Sequence, residues 1–235
     1  MSNDSELNEI NNIRKKLKNE YELNTEDYYA MDVERALNDN WQIQRFRLAI
    51  DDNDESKAYK MLISALKWRK TYGLLDRNDD YYPKELYEIN STQVSGPDSE
   101  GRYILWNSGR NVKKPSREIL PLIIQFIVHH IEKLDILSAS NGMLMVTDFS
   151  FIGLANYDGE QVRQVNQILF AYYPGLLKYC YVINFPSAFI PFFKLFLMFL
   201  KKNMRDNLKL ISMTEIERFV QMDVIPQDFG EKIID

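Results

Sequence analysis

The chain has 235 residues, 45% hydrophobic and 27% charged, which suits one domain of larger than average size with a sizeable core. A formal net charge of −5 argues against a surface built for nucleic acid, so attraction to an anionic membrane would need a local basic patch. The single cysteine, Cys180, excludes an intramolecular disulfide and fits a reducing compartment; its apolar setting marks it as a buried small hydrophobe rather than a nucleophile.

The opening Met1-Ser-Asn-Asp-Ser-Glu6 is polar and acidic, unlike a signal peptide. Leu7, Ile10, Ile13, Leu17 and Tyr21 then recur at helical spacing, with Arg14, Lys15, Lys16 and Lys18 on the wet faces. Residues 32–50 predict one or two further helices with Trp41, Ile43 and Phe46 as packing candidates. Ser56 is a candidate cap for a helix running to Tyr72 and closed by Gly73. The first 75 residues or so therefore predict a helical N-terminal lobe (1–75), followed by a second lobe (76–235).

In that second lobe, residues 76–95 read mostly as loop, with a short helix near Lys84. The turn Gly96–Gly101 leads into a strand ending at Trp106, and Pro115 opens a helix over 116–134. Met143–Thr147 reads as a strand buried on both faces, 159–172 as a helix stopped by Pro174-Gly175, and Tyr179–Asn184 as another buried strand. A very apolar helix (187–202), a strand (208–213) and a helix capped by Thr214 and Glu217 follow. Strands alternating with helices predict an α/β fold with a mainly parallel sheet and right-handed crossovers.

Residues 185–200 carry the strongest functional signal. Phe185, Phe189, Phe192, Phe193 and Phe196, with their aliphatic neighbours, leave almost no polar face. Such a helix is either buried on all sides or covers something apolar. At 16 residues, broken by Pro186, Pro191 and Lys194, the stretch is short of the roughly 20 needed to span a bilayer. Lys194, Lys201, Lys202 and Arg205 place a basic cluster beside it, against the acidic balance of the chain. The two readings are a core helix with a solvated charged end, and a lid over an apolar cavity that dips into an anionic membrane interface.

No nucleophile elbow, P-loop or dinucleotide fingerprint is present. His129 and His130 are adjacent on a helix, so they point about 100° apart and are poor partners for one metal. Asp148, at a strand end, reads as a structural carboxylate capping local amides. The residues thus call for no catalytic group, metal or cofactor.

Seven segments in order resemble the CRAL-TRIO family of lipid carriers. These are Gln44–Ala49, Ala65–Gly73 with its Trp68-Arg-Lys70, Asp98-Ser-Glu-Gly101, Met145-Val-Thr-Asp148, Tyr172-Tyr-Pro174, Tyr181-Val-Ile-Asn-Phe-Pro186 and Val224–Gly230. The resemblance implies a sheet floor and an apolar lid at Ser187–Leu200. It implies a hydrophobic ligand touching Trp106, Met143, Met145, Phe185, Phe189, Phe192, Phe193 and Phe196, with membrane contact through Lys194, Lys201, Lys202 and Arg205. It also implies a cytoplasmic protein peripheral to membranes, a carrier, transfer or sensor module and not an enzyme. The alternative is a module of the same fold that binds a protein partner or targets a membrane without lipid cargo.

Within the family, Asp32-Val-Glu-Arg35 and Asp39-Asn-Trp41 resemble the N-terminal domain of motile sperm domain-containing protein 2, which implies association with the endoplasmic reticulum if the domain belongs to a longer anchored chain. Family members that bind phosphatidylinositol carry Glu directly after Tyr-Tyr-Pro and Lys one turn beyond the lid, just before the next strand, where this chain has Gly175 and Asn207. Binders of phosphatidylcholine carry hydroxyls where it has Met143 and Met145. The resemblance therefore implies a ligand with a small or absent polar head: a sterol, isoprenoid, fatty acid or neutral lipid.

Overall fold

The computed structural model describes residues 3–50, 52, 54–109, 114–150, 158–198, 202–227 and 229. They form two compact units: 1–81 together with 166–175, and 82–165 together with 176–235. The first unit thus takes in ten residues from the later half of the chain as well as the helical N-terminal stretch.

The first unit is built on α1 (Asn3–Leu23), α2 (Ala30–Asn38), α3 (Asn40–Leu48) and α4 (Glu55–Tyr72). Ile10, Ile13 and Leu17 of α1 meet Val33, Ile43, Ala58, Leu62 and Ala65 in one buried cluster. The cap of α4 is Asp54, whose carboxylate accepts from the amides of Ser56 (2.8 Å) and Lys57 (3.2 Å); the serine lies within the first turn instead. An ionised cap two residues earlier satisfies the same orphan amides and also faces the helix dipole favourably. Gly73 ends α4 in the left-handed region, φ 68°.

The Trp68-Arg-Lys70 signature has a structural explanation. Trp68 stacks on Tyr172 (4.0 Å) and Tyr72 (4.6 Å). Arg69 grips Asp32 with two parallel bonds of 2.7 and 2.8 Å, both side chains being buried.

The second unit holds α5 (Lys84–Glu88), α6 (Leu120–Ser138), α8 (Ile190–Met198), α9 (Lys202–Asn207), α10 (Met213–Ile216) and a five-stranded sheet; α7 (Gly159–Tyr172) runs from this unit into the first. The strands are β1 (Thr92–Ser95), β2 (Tyr103–Ser108), β3 (Met143–Asp148), β4 (Leu177–Ile183) and β5 (Leu208–Leu210), in the order β1-β2-β3-β4-β5. β1 is antiparallel to β2 and the rest are parallel, so the α/β architecture is as the alternating pattern predicts. Strand β1 falls in a stretch read as loop, because four residues with two hydroxyl side chains at a sheet edge carry little hydrophobic signal.

Several boundaries also shift. The capping box is Ser212 with Glu215, not Thr214 with Glu217. The apolar helix begins with a 3-10 turn at Ser187–Phe189 and its described part ends at Met198.

Every step from β2 to β5 moves the same way across the sheet. Right-handed crossovers therefore put α6 and the α8–α9 segment on one face. The C-terminal segment closes the opposite face: Ile104, Trp106, Leu144, Val146, Tyr181 and Ile183 pack there with Ile216, Val220 and Phe229.

Candidate functional site

Strand parity separates residues that the sequence grouped together. Trp106 pairs with Val146, which in turn pairs with Tyr181, on the face closed by the C-terminal segment. Its ring lies 4.8 Å from Phe229, and its Nε1 donates to Ser95 Oγ at 2.6 Å. Met143 and Met145 point to the crossover face, since neighbours along a strand alternate. The structure does not bring Trp106 together with the methionines.

On the crossover face, Leu105, Met145, Cys180 and Leu208 stand in register across β2 to β5. Leu105 and Met143 are fully buried, whereas Met145 and Cys180, on interior strands, remain partly accessible. On the other face the neighbours of Met145 along β3, Leu144 and Val146, have no exposure at all; those of Cys180 along β4 are Tyr181, which is buried, and Tyr179, which is partly accessible. Cys180 is nonetheless surrounded by protein, and desolvation pushes its thiol up to about 12.

Above the carboxyl ends of the strands, the Phe185 ring sits 5.1 Å from Phe149 and 5.3 Å from Phe193 of α8. Phe185 and Phe193 therefore come together. Phe189 is 41% exposed, Leu195 53% and Met198 72%, and none of the described side chains of α8 is buried. Lys194 and Arg205 are exposed on α8 and α9. The side chains of Phe192, Phe196 and Lys202, and the whole of Lys201, lie outside the described residues. Among the described residues no helix is long and apolar enough to cross a membrane.

The junction between sheet and α8 joins Asp148 to Ser150 and Asn184, two residues that sequence reasoning left without a role. Asp148, 2% exposed, ends β3 beside Ile183, the last residue of β4. Its Oδ1 accepts from the Ser150 amide (2.8 Å), the Ser150 hydroxyl (2.6 Å) and Asn184 Nδ2 (2.9 Å). Asn184 Nδ2 donates to Ser150 Oγ as well, at 2.7 Å. Asn184 takes φ 52°, in the left-handed region where asparagine is tolerated, and turns the chain out of β4. Asp148 is thus the structural carboxylate its position suggested. Asn184 carried a signal of its own, an Asn at the end of a buried strand two residues before a proline.

The family's head-group positions also have physical settings here. Gly175 has φ 74°, so a residue with a side chain would be strained there, although a Cβ would meet the Trp41 ring at an ordinary 3.4 Å. Asn207 ends α9 and, with Glu100, Arg102, Asn141, Lys178 and Tyr179, lines a polar crevice of about 320 Å³. Arg102 is held there by Asp98 (2.7 Å) and Glu100 (2.8 Å).

His130 Nδ1 donates to the Phe126 carbonyl at 2.9 Å, and the His129 and His130 rings are 5.9 Å apart at 87°. Among the described residues no group of three or more His, Cys, Asp or Glu is arranged to hold a metal.

A family model described as the CRAL/TRIO domain matches residues 87–230. The chain belongs to the CRAL/TRIO domain family. It is 30% identical over 183 residues to a CRAL-TRIO domain-containing protein of Schizosaccharomyces pombe, an alignment covering 74% of this chain and 17% of that protein. It is 29% identical over 174 residues to the phosphatidylinositol transfer protein SFH5 of Vanderwaltozyma polyspora, covering 69% of this chain and 57% of that one. The chain thus spans about a sixth and just over half the lengths of these relatives. The crystal structure of Sfh5 superimposes with a TM-score of 0.67 at 20% identity, covering 89% of this chain and 81% of Sfh5, and so shares the CRAL/TRIO fold.

Proposed function

We propose that this domain shelters one hydrophobic ligand, a lipid, against the crossover face of its sheet and acts as a carrier, transfer or sensor module at membranes. The observation that carries the reading is the contrast between the two sheet faces. One packs against the C-terminal segment; the other keeps Met145 and Cys180 partly accessible on interior strands, and α8, on the crossover from β4 to β5, has no buried described side chain. Apolar ligand area removed from water would drive binding at about 25 cal/mol per Å².

In this reading α8 is the lid, and Phe185, Phe189, Phe192, Phe193 and Phe196 are its ligand-facing or membrane-facing aromatics. Met143 and Met145 form the floor, and Trp106 supports that floor from behind. Lys194, Lys201, Lys202 and Arg205 meet anionic lipid when the lid opens.

Gly175, Asn207 and the two methionines supply neither charge nor hydroxyl groups to a buried head-group, and each hydrogen bond left unmade there costs about 1–3 kcal/mol. We therefore assign a ligand of small or absent polar head: a sterol, isoprenoid, fatty acid or neutral lipid. The reading includes a cytoplasmic, membrane-peripheral location. It also includes kinship with the N-terminal domain of motile sperm domain-containing protein 2, on the strength of Asp32–Arg35 and Asp39–Trp41.

Native extraction with lipid mass spectrometry, followed by uptake assays from vesicles, tests this directly. A stoichiometric lipid with a small head is expected. A protein that copurifies with none, and takes up neither sterols, fatty acids nor phospholipids, would replace the carrier by a module that docks α8 onto a protein partner.

A further inference from the structure

The geometry points to Asp148, Ser150 and Asn184 as a latch that sets the pivot of α8, with Asn184 as its movable part. The inference rests on the reading of α8 as a lid and concerns how that lid is held.

The fixed half of the latch belongs to the sheet. Asp148 is buried at the end of β3; its carbonyl accepts from the Gly109 amide (3.3 Å) just beyond β2, and the next amide, Phe149, donates to Ile183 of β4 (3.0 Å). The carboxylate is therefore anchored to the ends of three strands. Ser150 completes it, since its amide and hydroxyl both donate to the same oxygen.

The movable half is Asn184, the first residue after β4 and three residues ahead of the 3-10 turn that opens the lid segment. The residue is exposed and its backbone left-handed, a conformation that holds only when something selects it. Its amide supplies that selection by donating to Asp148 and Ser150. Bonds to an ionised acceptor are about twice as strong as neutral ones. Pro186 then stiffens the chain two residues on, so rotation between sheet and lid is concentrated at Asn184 and Phe185.

An apolar counterpart lies alongside. Phe149, which follows Asp148, touches Phe185, which touches Phe193 of α8. Ligand or membrane lipid competing for the Phe185 and Phe193 rings would leave the polar latch as the main restraint on the pivot.

The experiment is hydrogen–deuterium exchange of the whole chain, read over residues 187–198, in the parent protein, Asn184→Gly and Asn184→Asp. Glycine keeps the left-handed backbone and deletes the amide, while aspartate sets a second carboxylate against Asp148. Exchange of the lid segment is expected to rise about tenfold in the glycine variant and further in the aspartate variant, with β3 and β4 unchanged. Exchange of 187–198 that stays at the parent level would overturn the latch. So would a rise spread over the whole second unit, which would make Asn184 a general structural residue. Because this readout needs no lipid, it separates the latch from the carrier reading: a parent protein that takes up no lipid sinks the carrier and leaves the exchange result to judge the pivot.

Discussion

Helices α4 and α8 are both rich in apolar residues, yet they end in opposite states. α4 buries Ala58, Leu62, Ala65 and Leu66 against α1 to α3, buries Arg69 in its pair with Asp32, and keeps its other charged residues on the remaining faces. α8 is apolar almost all round and has no buried described side chain. Burial therefore follows from whether a helix divides its faces, not from how greasy it is. A stripe can be satisfied by neighbours in the same chain, whereas a full cylinder needs partners on every side. Where the chain does not provide them, a ligand, a membrane or a partner protein can.

The comparison can be broken at its strongest point first. Asp32→Ala leaves Arg69 buried without its counter-charge in the helical unit, an expected loss of about 3–5 kcal/mol in a denaturant titration. The same change should leave lipid retention intact at temperatures where the protein stays folded. A loss below about 1 kcal/mol would mean that the pair is solvated and that the helical unit is held by its stripes alone.

At the other helix the expectation inverts. Replacing both Phe193 and Leu195 by Ser should cost no more than about 1.5 kcal/mol, the scale of the lost Phe185–Phe193 ring contact. Uptake of lipid from vesicles should nevertheless fall by an order of magnitude. A cooperative loss of stability on the scale of a core deletion would show α8 to be core after all.

The smallest effect sharpens the contrast between the sheet faces. The folded thiol of Cys180 is raised to about 12 from an ordinary value of 9.0, so it stays protonated where the unfolded chain ionises. The folded state then binds more protons than the unfolded one between those values, and the contribution, complete below pH 9, is lost as pH rises towards 12. Cys180→Ala should flatten that part of the stability profile. Alkylation of the thiol at pH 8 should be slow, and slower still with lipid bound.

Much of the fold was legible because strand and helix periods differ and follow one another in β-α order. What escaped was information held between strands. Trp106 and Met145 both read as buried strand residues, but only the register, with Trp106 beside Val146 and Leu105 beside Met145, shows that they face opposite ways. β1 was missed because its pairing with β2, not its own hydrophobicity, makes it a strand. The caps moved by two residues because neighbouring Asp, Ser and Thr side chains compete for the same amides, and the sequence does not say which wins. At the site, the aromatic run was visible from its composition. The role of Asn184 was not, because it depends on a carboxylate 36 residues earlier in the chain.

The partition of α7 has a consequence for the order in which this protein can be made. Trp68 is synthesised early, but Tyr172, on which it stacks, comes about a hundred residues later, as do Tyr173 and the Pro174 carbonyl that accepts from Arg45. The helical unit therefore cannot close on itself while residues 1–81 alone have left the ribosome. Its last wall arrives after most of the sheet-forming chain, and the long loop that must be drawn shut makes this a slow contact. Nascent chains of this protein should thus depend on chaperones for longer than the local helical character of their first third suggests.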